Sequence, residues 1–242
     1  MGRCATPLRK ILNQASDSFC KSMPIVYVLT VVESMADGKK IVRGLFVGDD
    51  HEVFWRAGQL SAQVNCFRLP TAPKTMVVYM DPKKYERTWL ANKAIYRTRM
   101  AIADGGKLFV IAPGVKTFGE DATIDQLIRQ HGYRTTPEVL AKVKQHEALR
   151  KNLSAAAHLI HGSSEDRFEI VYCPGHLSPE EIRSVGYSYE DPTVVLRRFA
   201  VDGKSNGWQV SAEGEPFYFI RDPGLGLWMN EQHPHSFDPS EA

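Results

Sequence analysis

The chain has 242 residues, 43% hydrophobic, with 30 basic and 28 acidic residues and a net charge of +2. That length and apolar content suit one sizeable core, and mixed charge gives no electrostatic case for nucleic acid or an anionic membrane. Cys4, Cys20, Cys66 and Cys173 are scattered with no C-x-x-C pair, there is no leader-like apolar region, and no apolar run reaches the roughly 18–20 residues of a membrane span. These features predict a soluble, cytoplasmic protein with free thiols.

Thr6-Pro7 opens the first predicted helix, Thr at the cap and Pro in the first turn, with Leu8, Ile11, Leu12, Ala15 and Phe19 at helical spacing to residue 20. Strands over 25–32 and 41–47 flank an Asp37-Gly38 turn and read as a hairpin. Asp49-Asp50 caps a helix over 51–64, whose inner face carries Val53, Phe54, Ala57 and Leu60, with His51 solvated in the first turn. A short strand, 66–69, and a linker, 70–74, follow.

The stretch from 75 to 114 reads as strand, helix, strand. Strand 75–80 ends at Asp81-Pro82, a helix runs from 85 to 104, Gly105-Gly106 stops it, and strand 107–112 ends at Pro113-Gly114. Two buried strands joined by one helix are expected to be parallel, with a right-handed crossover. The fold class this predicts is α/β: a mixed sheet with a parallel β-α-β core unit flanked by helices. Trp89, Asn92, Lys93 and Tyr96 are three and four apart and are expected to share one helix face near the carboxyl edge of the sheet. A cation, an amide and aromatics there suit a small anion, helped by the helix dipole; the plainer reading is a surface lysine beside a core tryptophan. The helix is apolar on most sides, so Arg97 and Arg99 need carboxylates or carbonyls.

Glu120-Asp121 precedes a helix over 123–131 closed by Gly132, and the acids read as caps rather than catalytic carboxylates. Thr136-Pro137 starts a helix that continues through 149. In 152–161, His158 and His161 lie at i and i+3, where two imidazoles can share a metal or one can act as acid or base. No third ligand stands nearby, and a structural role at the helix end is the competing reading, with His158 the better catalytic candidate. Strand 167–173, a capping box at Ser178 opening a helix to 184, a helix over 192–199 and a hairpin of 208–210 with 217–220 follow. Trp228 is expected to anchor a docked tail. The body is thus one domain over 1–230, and 231–242 reads as a polar, disordered tail in which His233 and His235 are solvated.

The run NKAIYRTRMAIADGGKLFVIAPGVKTFGED, 92–121, resembles the carboxyl-terminal half of the nickel-pincer lactate racemase family, and within it the branch of D-mannonate epimerase-like sugar-acid epimerases. The likeness extends from TPLR at 6–9 through KKIVRGLFVGD at 39–49 to NLSAAAHLIHGSSEDRFEIVYCPG at 152–175. In that family a helix of this kind carries a tyrosine, a glutamine and a lysine near the substrate carboxylate. The lysine corresponds to Lys93, while Trp89 stands at the tyrosine position and Leu90 at the glutamine position, a departure from lactate toward another hydroxy acid. A family tryptophan falls around 154–156, where this chain has none.

The resemblance implies a substrate-binding half of a 2-hydroxy-acid racemase or epimerase, acting at C2 of a sugar acid such as mannonate or gluconate by hydride abstraction and return. Lys93, Asn92, Trp89, Tyr96, Arg97, His158 and His161 are the implied substrate contacts. It also implies a nickel pincer nucleotide, with its tether, its nickel ligands and the acid/base histidines on an amino-terminal half or partner chain rather than here. The alternative is a non-catalytic module that binds a partner or a small hydroxy acid. A hydrolase or a nucleotide-binding fold is set aside: the G-x-S-x-G string at 203–207 lies in a loop that leads from a predicted helix into a predicted strand rather than at a strand-to-helix elbow, and no G-x-G-x-x-G is present.

Overall fold

The computed structural model describes residues 3–35 and 39–233. The amino-terminal layer holds α1 (Pro7–Phe19), the hairpin strands β1 (Tyr27–Ser34) and β2 (Lys40–Gly48), and α2 (His51–Asn65). Thr6 caps α1 through the Arg9 amide, and Asp50 caps α2 through Glu52 and Val53, as their side-chain chemistry dictates. The hairpin is antiparallel with a register shift at Val31/Val32; the Asp37-Gly38 turn and residues 234–242 of the expected tail lie outside the described residues. His51 is not merely solvated: its ring pairs with Asp17 at 2.9 Å.

Beyond β3 (Cys66–Leu69) come β4 (Thr75–Tyr79), α3 (Thr88–Ala91), α4 (Lys93–Tyr96), β5 (Lys107–Ala112), α5 (Ala122–His131), α6 (Thr136–Gln145), α7 (Glu147–Lys151) and α8 (Leu153–His161). Then follow β6 (Glu169–Pro174), α9 (Pro179–Ser184), β7 (Ser188–Tyr189), α10 (Pro192–Phe199), β8 (Gly207–Val210), β9 (Pro216–Arg221) and β10 (Leu227–Asn230). The main sheet has the order β7-β6-β5-β4-β9-β8, parallel except for the β8–β9 hairpin. This is the mixed α/β architecture with a parallel β4–β5 core unit that the apolar runs predict.

Alternate residues of the sheet face opposite layers, as a strand period of two requires. Met76, Val78, Leu108, Val110 and Tyr172 join the larger core under α3 to α9. Val77, Phe109, Ile111, Val171 and Phe219 face α10 through Val195 and Phe199. No described helix is long and apolar enough to cross a membrane.

Three expectations need correction. The helix over 85–104 does not form as one piece. Tertiary contacts break it into α3 and α4 and then into turns, because β10 takes over its carbonyls: the Trp228 amide bonds the Arg97 carbonyl and the Asn230 amide bonds the Met100 carbonyl, both at 2.8 Å. The Thr98 hydroxyl meanwhile bonds the Ala94 carbonyl at 2.6 Å, a back-bond that favours a bend. Trp228 is indeed an anchor, 2% exposed and stacked on Phe67 at 5.1 Å, but the docked segment is a regular strand paired parallel with β3 rather than a tail. The helix expected from 136 to 149 breaks at His146, whose backbone is extended, and its cap is Thr135, which bonds Glu138 through both amide and hydroxyl. Strand β7, only two residues long, has no sequence signal of its own.

The loops leaving β4, β5 and β6 pack backbone on backbone. A Cβ on Gly114 would stand 2.5 Å from the Pro82 carbonyl oxygen, and one on Gly175 would overlap the Pro113 carbonyl. Gly114→Ala should therefore cost about 1–3 kcal/mol and lower the melting temperature followed by circular dichroism; an unchanged melt would contradict this close packing.

Candidate functional site

Helix α3 begins where the loop after β5 returns to it. The Thr88 amide bonds the Thr117 carbonyl at 3.1 Å, and the Trp89 amide bonds the Phe118 carbonyl at 2.9 Å. This seats Thr88 fully inside and leaves Trp89 half-buried. From Thr88 a chain of buried hydrogen bonds crosses the interior. Its hydroxyl donates to the Phe118 carbonyl at 2.8 Å and lies 2.8 Å from the Tyr133 hydroxyl, which in turn lies 3.0 Å from His158 Nε2. The Thr88 proton is spent on the carbonyl, so Tyr133 has one proton to give, to Thr88 or to His158, and the imidazole adopts the complementary tautomer.

His158 is 5% exposed, and the Trp89 ring covers it at 4.6 Å, tilted by 39°. Burial, with the neighbouring His161 charge, pushes its pKa down from 6.5 to about 3. The imidazole is therefore neutral at physiological pH and works as a hydrogen-bonded support for the tryptophan. Tyr133 stacks on Tyr187 at 4.5 Å, and Tyr187 on Tyr172 at 5.4 Å, with burial raising the pKa of all three hydroxyls.

Asn92 does not sit on the outer face with Trp89. It is fully buried, donates to the Tyr187 hydroxyl at 3.3 Å, and leaves its own Oδ1 without a hydrogen-bond partner. Arg97 also turns away: its guanidinium donates to the Gly226 carbonyl at 2.8 Å, beside β10. Arg99 reaches the Ile160 carbonyl at 3.3 Å, so the expected need of both arginines for carbonyls is met.

What remains outward is Trp89, Lys93 and Tyr96, with α8 alongside. The Tyr96 ring lies 5.2 Å from His161, one turn along from the Trp89–His158 contact. Lys93 opens α4, is half-buried, and its ammonium makes no hydrogen bond or ion pair among the described residues. The other half-buried lysines among the described residues are both bound, Lys142 to the His131 carbonyl at 2.8 Å and Lys204 to the Val210 carbonyl at 3.0 Å. The structure thus leaves Trp89, Lys93, Tyr96, His158 and His161 on three helices, α3, α4 and α8, and sets Asn92 and Arg97 apart as internal supports. Thr88, Tyr133 and Tyr187 carry no sequence signal for their part, since they are far apart in the chain and ordinary in composition.

A different feature, a cavity of about 850 Å³, lies at the amino edge of the sheet among Arg99, Thr136, Glu165 and Arg167. Its charges are already used: Arg167 binds Asp104 and the Arg99 and Ile102 carbonyls, and Glu165 binds Thr136. Among the described residues no three of His, Cys, Asp and Glu converge as a metal-binding group.

No protein-family model and no curated protein matches the chain. Solved structures do. A crystal structure of a Thermotoga maritima protein is similar over 95% of this chain and 55% of its own, with a TM-score of 0.73 and 24% identity. The lactate racemase apoprotein from Thermoanaerobacterium thermosaccharolyticum is similar over 93% of this chain and 50% of its own, with a TM-score of 0.58 and 10% identity. The chain therefore spans about half the length of either neighbour, and what it shares with them is the fold.

The buried imidazole makes stability depend on pH. The unfolded chain binds a proton on His158 below 6.5 while the folded chain does not until about 3, so stability is complete above 6.5 and falls as pH drops, by about 1.4 kcal/mol per unit from this group. Melting temperatures measured from pH 7 to 5 should fall for the wild type and fall less steeply for His158→Gln; equal slopes would contradict the burial of a neutral histidine.

Proposed function

We propose that this chain is the substrate-binding half of a racemase or epimerase acting at C2 of a 2-hydroxy acid, with a sugar acid such as mannonate or gluconate as substrate. The observation that carries the reading is Lys93: a half-buried ammonium with no hydrogen bond or ion pair among the described residues, four positions along the chain from an indole held by a buried hydrogen-bonded histidine. The shared fold of a lactate racemase apoprotein supports the same chemistry.

A carboxylate placed on Lys93 gains a charge-assisted hydrogen bond in a partly desolvated setting, worth about 1.5–3 kcal/mol. Trp89 supplies a rigid wall beside it, because His158 and the chain behind it fix the indole. The Tyr96 hydroxyl and the His161 ring nitrogens make no hydrogen bond among the described residues, and they suit the further hydroxyls of an aldonic acid. A wall of tryptophan and polar groups at this distance along the helix suits a longer acid than lactate.

The nickel pincer nucleotide implied by the resemblance does not fit the side chains here. His158 is committed to Tyr133, and no three candidate ligands converge among the described residues. The tether, the metal ligands and the acid/base groups are therefore assigned to a second half, and this chain's own work is to bind and orient the carboxylate end.

Calorimetric titration with D-mannonate, D-gluconate and lactate should show the sugar acids binding more tightly than lactate. Lys93→Ala should weaken binding by about tenfold or more and Lys93→Arg by less. Equal affinity for wild type and Lys93→Ala would overturn the assignment.

A further inference from the structure

The amino-terminal layer is turned inside out. Helix α1 carries an apolar stripe, Leu8, Ile11, Leu12 and Phe19, yet none of its residues is buried; Leu8 is 66% exposed and Phe19 78%. The helix meets the body through its polar side instead. Arg9 lies over the Phe54 ring at 3.5 Å, Ser16 bonds the Tyr27 hydroxyl at 3.2 Å, and Asp17 pairs with His51. Arg9 Nε and Asn13 Oδ1 are enclosed there without hydrogen-bond partners. A lone amphipathic helix docks the other way round.

The hairpin shows the same arrangement. Its inner face packs on α2, closely enough that a Cβ on Gly44 would stand 2.6 Å from Leu60. Its outer face is apolar as well: Val28, cross-strand from Val47, and Leu45, beside Thr30, are 59–63% exposed. Sheet strands with one solvated face place polar residues there. The hairpin is also a two-stranded sheet among the described residues, with an open edge on each side, and such a sheet is marginal without further packing.

What covers these faces follows from the solved neighbours. They match 95% and 93% of this chain, so this layer belongs to the shared fold, yet that match uses only 55% and 50% of their own lengths. We infer that α1 and the β1–β2 hairpin form the docking surface for a second domain, the counterpart of the unmatched part of those chains; its identity as the catalytic half rests on the function proposed above. The apolar stripe of α1 and the outer face and edges of the hairpin then complete that domain's core and sheet.

The test mixes the 242-residue chain with the unmatched part of the Thermotoga maritima protein, made as a separate polypeptide, each on the order of 10 µM. Light scattering after size exclusion should show a one-to-one complex, and hydrogen exchange should slow in 7–19 and 40–48. Leu12→Glu and the pair Leu45→Lys, Val47→Lys, each folded by circular dichroism, should weaken the complex by about tenfold or more. Lys93→Ala should leave it intact. The inference is overturned by a monomeric chain that forms no complex, by a complex indifferent to these substitutions, or by a discrete homodimer of the chain that Leu45→Lys dissolves, which would give the surface to a second copy. Complex formation is read without substrate, so a failure here leaves hydroxy-acid binding at Lys93 standing, and a failure there leaves the docking surface standing.

Discussion

The chain of hydrogen bonds from the Phe118 carbonyl through Thr88 and Tyr133 to His158 is the constraint on which the rest of the site depends. It ties the loop after β5, the first turn of α3, the loop after α5 and the middle of α8 into one buried strip. Every group in it is desolvated, and leaving any one unpaired would cost about 1–3 kcal/mol. That penalty fixes the separation of α3 and α8 and hence the stacking of Trp89 on His158. The histidine is a strut, kept neutral by burial, and it holds the tryptophan that the proposed function makes a ligand wall.

The same buried strip explains why the outward face is so small. Asn92 and the tyrosine stack of 133, 187 and 172 fill the space behind α3 and α4, and Trp89, Lys93 and Tyr96 are left half-buried beside the exposed Leu90. The carboxyl ends of β4, β5 and β6 are packed over by Pro-Gly loops, and at the β4–β9 boundary Asp222 is held by Lys84 and Tyr85 at 2.6 Å each. In open α/β sheets a ligand sits at such a boundary. Here that position is filled by the chain's own ion pair.

Much of this could be read from sequence where the determinants are local. The Thr-Pro and Ser-Pro helix starts, the Asp50 and Asp121 caps and the apolar runs of β4, β5 and β6 all depend on neighbours in the chain. The failures share a different cause. The helix after Thr88 broke because β10, more than 120 residues later, claims the Arg97 and Met100 carbonyls. Spacing of three and four puts Asn92 on one face with Trp89 and Tyr96, whereas the bend at its own position turns it toward Tyr187. Lys93 and Trp89 are legible as a pair at i and i+4; that the lysine makes no ion pair or hydrogen bond among the described residues, while Arg97 does, is visible only in three dimensions.

The most direct measurement is an NMR titration of the labelled chain with D-gluconate, following the Lys93 side-chain ammonium and the Trp89 indole. The account predicts saturable shifts at Lys93, Trp89 and Tyr96, with none at Arg99, Arg167 or Thr136 around the amino-edge cavity. Shifts confined to that cavity, or none at Lys93 at saturating acid, would contradict it.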